Sequence, residues 1–69
     1  MDIKVMNRLR QRRVVADRTQ EDLAVAVGVT RQTIIAIEKG NYTPSVLLAL
    51  RLARILGCTV EDLFYEETE

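Results

Sequence analysis

Histidine is absent from the 69 residues, and cysteine occurs once, as Cys58. A lone cysteine closes no internal disulfide. With no histidine beside it, it builds no zinc site either. A chain this short sits near the lower size limit for folding without such staples, so packing, or a partner chain, has to supply the cohesion. No apolar run approaches the roughly 20 residues that span a bilayer. The opening stretch MDIKVMNRLRQRR lacks the apolar centre of a secretory leader. A reducing, cytoplasmic setting is therefore expected. A glycine loop for phosphates, a catalytic Cys or His constellation and a core of cavity size are also missing, which argues against an enzyme. No metal, cofactor or small-molecule ligand is expected.

What is present is an apolar fraction of 48%, too high for a disordered chain. Ten cations balance ten acids, but unevenly along the chain. Lys4, Arg8, Arg10, Arg12, Arg13 and Arg18 outweigh Asp2 and Asp17 at the start. Glu61, Asp62, Glu66, Glu67 and Glu69 stand without a cation at the end. A nucleic-acid binder would present the basic side and turn the acids away, although two solvated surfaces read the same way.

Breaks at Asp17-Arg18-Thr19, Gly28, Gly40 to Ser45 and Gly57 divide the chain into five segments of helical periodicity. The first runs from about Met6 to Ala16, with Met6, Leu9, Arg13 and Ala16 on one face. Asp17 sits where a left-handed residue closes a helix. Thr19 with Asp22, and Thr59 with Asp62, have capping-box spacing, and Thr30 and Ser45 are N-caps. Leu23, Ala24, Val27, Ile34 and Ile37 form the inner face of the second and third helices. Ala49, Leu52, Ala53 and Leu56 form that of the fourth. Asp2–Val5 alternates like a short strand, and the tail after Phe64 is expected to fray. Cys58 reads as a small core residue.

The second and third helices, about eight residues each with a three-residue turn, describe a helix-turn-helix. Ala24 lies where they cross, and Gly28 can take positive φ in the sharp turn. In this motif the N-terminal end of the second helix enters the major groove of double-stranded DNA. Arg31 suits a guanine edge and Gln32 an adenine edge. Ile35 is expected to face outward toward a thymine methyl, with Thr33 and Ala36 beside it.

TQEDLAVAVGVTRQTIIAIEKGNYTPSVLLALRLARILGCTVEDLF, residues 19–64, resembles the Cro and phage-repressor type of helix-turn-helix regulators, also called xenobiotic-response-element-like. The blocks TQEDLA, GVTRQTI, IEKGNYTPS and LGCTVEDLF match together. The resemblance implies an all-α, five-helix, lambda-repressor-like DNA-binding domain over residues 1–64, followed by an acidic tail, 65–69. It implies phosphate contacts from Gln20, Lys39, Asn41, Tyr42 and Thr43, with Thr19 and Thr30 at the helix starts. Arg13 and Glu38 match positions that pair structurally between the first and third helices. Arg18 stands where an apolar residue is common and is a further phosphate candidate. Arg12, Val14 and Val15 also depart from the family pattern.

In VLLALRLARIL, residues 46–56, only Arg51 and Arg54 are polar. A surface helix needs one apolar stripe. Val46, Leu47, Leu50 and Ile55 therefore want cover, with Phe64 near, and a homodimer through the last two helices would supply it. The function so read is a sequence-specific transcriptional regulator, a repressor in kind, that binds a roughly palindromic operator as a homodimer. The alternative is an antitoxin or protein-binding adaptor that uses the same apolar surface.

Overall fold

The computed structural model describes residues 3–67. In chain order these form β1 (Lys4–Asn7), α1 (Leu9–Val15), α2 (Gln20–Val27), α3 (Arg31–Glu38), α4 (Val46–Leu56), α5 (Val60–Leu63) and β2 (Phe64–Glu67). Each helix start that the sequence marks with Thr or Ser is built that way. Thr19 and Thr59 make complete capping boxes with Asp22 and Asp62, while Thr30 and Ser45 accept from the backbone N–H groups of Thr33 and Leu48. The Asp62 carboxyl is held below its ordinary value of 3.8, first by the Thr59 backbone N–H, then by the Thr59 hydroxyl, with the charges of Arg12 and Arg8 adding to the effect.

Four helices end by one device. Asp17, Gly28, Gly40 and Gly57 all have positive φ. In each case the next residue's N–H reaches back five positions: Arg18 to Arg13, Val29 to Ala24, Asn41 to Ala36, and Cys58 to Ala53. This is the Schellman closure, which satisfies the last orphan carbonyls of a helix. Only Asp17 lacks glycine's freedom, and it adopts φ 57.

The core draws on every helix. Leu9, Leu23, Ile34, Leu52 and Leu63 have no exposed surface, and Ala24, Val27, Ile37, Leu48 and Ala53 join them. Ala24 is completely enclosed, so α2 and α3 pack closely at that point. Two expectations for α4 change. Leu48 is buried although periodicity did not select it, and Leu56 is only partly buried. A helix that is apolar nearly all round carries no stripe from which to choose.

The ends of the described chain depart further from expectation. α1 begins at Leu9, not Met6, because residues 4–7 pair antiparallel with β2. The register sets Lys4 against Glu67, Val5 against Glu66, Met6 against Tyr65 and Asn7 against Phe64. Tyr65–Glu67 therefore form a strand rather than a frayed tail, and the strand suggested at Asp2–Val5 lies two residues later, Asp2 itself being outside the described residues. Ala16, assigned to the inner face of the first helix, is exposed. The Asn7 side chain secures the junction: its Oδ1 accepts from the Leu9 N–H at 3.1 Å and its Nδ2 donates to the Ile37 carbonyl at 2.9 Å. The Arg8 guanidinium lies 4.1 Å from the centre of the Tyr65 ring, a cation–π contact across the same junction.

Candidate nucleic-acid interface

The α2–turn–α3 unit places its apolar and polar residues on opposite sides. Ile34 and Ile37 are buried, whereas Arg31 and Gln32 on the first turn of α3 are exposed. Thr33 is half-buried, with its hydroxyl 3.2 Å from that of Thr30. Ala36 is half-buried as well. Ile35 was expected to face freely outward, but it is half-buried and forms part of a cleft wall with Arg10, Arg13 and Lys39.

A chain of polar contacts runs beneath this surface. Arg13 Nε donates to Glu38 Oε2 at 2.6 Å and Nη2 to Oε1 at 3.3 Å, with the two side chains only 12% and 7% exposed. Arg13 Nη1 also donates to the Arg18 carbonyl at 2.9 Å, so one guanidinium joins α1, the α1–α2 turn and α3. Gln20 Nε2 donates to Glu38 Oε1 at 3.1 Å, and Gln20 Oε1 accepts from Arg31 Nη2 at 3.4 Å. The order of these contacts follows from donor chemistry. A carboxylate only accepts, so the Gln20 amide must turn its nitrogen to Glu38. Its oxygen is then left for Arg31, which only donates. Glu38 thereby orients a side chain it does not touch.

The phosphate candidates fall into four places. Arg18, Thr19, Gln20 and Arg31 line one open cleft of about 410 Å³ at the start of α2. The N–H groups of Gln20 and Glu21 lie in that first turn, where no helical carbonyl can reach them, and the positive end of the helix favours an anion. Lys39, Asn41 and Tyr42 are exposed where the chain leaves α3. Thr43 is exposed but lines an apolar groove by α4, with Pro44 and Val46. Thr30 is exposed at the N-cap of α3.

A helix-turn-helix family of the Cro/C1 type matches residues 9–63 of this sequence. The chain belongs to that family. Among its helix-turn-helix relatives is a transcriptional regulator of Methanocaldococcus jannaschii, 53% identical over 64 residues that cover 91% of this chain and 97% of the relative. A cryptic-phage transcriptional repressor of Vibrio cholerae, RstR, is 33% identical over 57 residues, 83% of this chain and 51% of that protein. Among solved structures, the restriction-modification controller protein C.AhdI of Aeromonas hydrophila superposes with a TM-score of 0.74 at 31% identity, covering 80% of this chain and 83% of that one. Five helices with a helix-turn-helix at α2–α3 thus form the lambda-repressor-like domain, and the β1–β2 pair joins the two ends of the described chain.

On another surface of this helix-turn-helix protein, Val46, Leu47 and Leu50 are exposed, at 77%, 58% and 53%. Val46 and Phe64, with Val5, Pro44, Ala49 and Val60, line an apolar groove of about 190 Å³. Ile55, expected to need outside cover, is partly buried against the protein's own core, and so is Phe64. Val5 was missed because its place in the groove depends on the strand pairing. Among the described residues, no helix is long and apolar enough to cross a membrane.

Proposed function

We propose that this DNA-binding transcriptional regulator recognises a roughly palindromic operator as a homodimer, and represses by occupying it. The supporting observation is the division of α3: Ile34 and Ile37 anchor it in the core, and Arg31 and Gln32 are exposed on its first turn. Arg31 reads a guanine edge and Gln32 an adenine edge, with Thr33, Ile35 and Ala36 beside them. Arg18, Thr19, Gln20, Thr30, Lys39, Asn41, Tyr42 and Thr43 contact or flank the phosphates, which sets the register without carrying sequence information. Two copies related by a two-fold axis would read half-sites about 34 Å apart. The exposed Val46, Leu47 and Leu50 supply the contact surface. The repressor among the relatives supports the outcome assigned. The activity is binding with no chemical step, and its setting is the cytoplasm.

Selection of bound duplexes from a random pool tests the reading directly. Arg31→Ala should relax the preference at one operator position and cost about 1–3 kcal/mol there. An equal loss on every sequence would make Arg31 a phosphate contact only. Leu50→Glu should halve the sedimenting mass; an unchanged mass moves the dimer contact elsewhere.

The same exposed apolar residues favour a second reading, an antitoxin or adaptor that covers another protein with α4. A chain with no DNA affinity at low salt would support it, because a DNA binder gains affinity steeply as salt falls.

A further inference from the structure

The cleft at the start of α2 does not end there. A second open cleft, about 440 Å³, is lined by Arg10, Arg13, Gln20, Ile35, Glu38 and Lys39. Arg13 and Gln20 line both. The two clefts therefore adjoin beside α3, one lined by Arg31 at its first residue and the other by Lys39 at its C-cap, and together they make up a trough. Eight residues of helix extend about 12 Å, which matches about three nucleotides at ~3.4 Å of axial rise each.

The charge in the second half of the trough comes from three cations and one acid. Glu38 is satisfied internally by both Arg13 contacts and by Gln20. Arg10 and Lys39 are both exposed, and among the described residues neither is in an ion pair. They flank the stretch of α3 that carries Ile35. The two exposed cations thus come from α1 and from the C-cap of α3, in the cleft that Arg31 does not line.

Resting on the DNA reading above, we propose that Arg10, with Lys39, holds a backbone phosphate of the strand that passes the N-terminus of α2, further along the same trough. Arg10 thus makes α1 part of the DNA-binding surface and lengthens the protein's grip on one strand.

The test is binding of the full chain to its selected operator and to a scrambled duplex across a salt series, for wild type, Arg10→Gln, Arg10→Lys and Arg54→Gln. Arg10→Gln should lower affinity equally on both duplexes, by about eightfold at 0.1 M salt. It should also reduce the slope of log K against log salt by about one, the contribution of a single phosphate. Arg10→Lys should restore most of the slope, and Arg54→Gln, at an exposed position of α4, should leave it unchanged. Matching thermal melts establish that the variants are folded. An unchanged slope in Arg10→Gln overturns the proposal, and so does a loss confined to the operator, which would make Arg10 a base reader. If Arg31→Ala still relaxes base preference while Arg10→Gln changes nothing, the DNA reading stands and only the Arg10 site fails. A wild type that binds neither duplex removes the DNA reading and this one together.

Discussion

The middle of the molecule and its two ends are held in different ways. In the middle, Arg13 of α1 and Glu38, Gln20 and Arg31 of the helix-turn-helix form a continuous line of contacts, and its Arg13–Glu38 ion pair is nearly enclosed. At the ends, two four-residue strands pair on the surface, with Lys4, Val5 and Tyr65–Glu67 all exposed. An isolated two-stranded pair is marginal in water, and this one is secured through Asn7, Arg8 and the half-buried Phe64. The contrast shows where rigidity is needed. The side chains proposed to meet DNA are supported from below, whereas the sheet lies beside Leu9 and Leu63 at the edge of the core.

If that contrast is right, the largest loss should follow Glu38→Ala. It strands the Arg13 guanidinium, releases Gln20 and should cost about 3 kcal/mol in urea denaturation. A cost under about 1 kcal/mol would place the pair with ordinary surface ion pairs and remove the distinction. Gly28→Ala is expected to cost about 1 kcal/mol in a thermal melt. The added Cβ has room, its nearest neighbour being the end of the Arg51 side chain at 3.8 Å, so the penalty is that of φ +81 alone. A much larger loss would reveal a packing constraint in the turn. The smallest effect should be at the ends. Lys4→Glu sets like charges opposite each other at Glu67 and should cost about 0.5 kcal/mol. Faster amide exchange confined to residues 4–7 and 64–67 would confirm that the sheet yields independently of α3; a loss spread across α2 and α3 would show that the two regions are coupled.

Distance along the chain decided what could be read from the sequence. Thr19, Thr30, Ser45 and Thr59 cap helices through residues three positions away, and Asp17, Gly28, Gly40 and Gly57 close them through residues just before, so local pattern is enough. The β1–β2 pair joins Lys4 to Glu67, and nothing within either four-residue strand announces the other. Asn7 illustrates the same limit: its bond to the Leu9 N–H is a local turn signal, but its bond to the Ile37 carbonyl spans the fold. Within the candidate site, the spacing located Arg31 and Gln32. It could not show that Glu38 fixes the direction of the Gln20 amide, because that depends on three helices meeting. The half-burial of Ile35 escaped for a related reason, since the wall it shares with Arg10 and Arg13 brings α1 and α3 together.

Pairing of Lys4 with Glu67 brings the described chain into the fold and out of it at neighbouring points. A unit with that geometry can be spliced into a loop of a larger host without prising the loop's two stems apart. The exposed first turn of α3 would remain presented, and the host would acquire a DNA-binding unit for one short detour of its backbone.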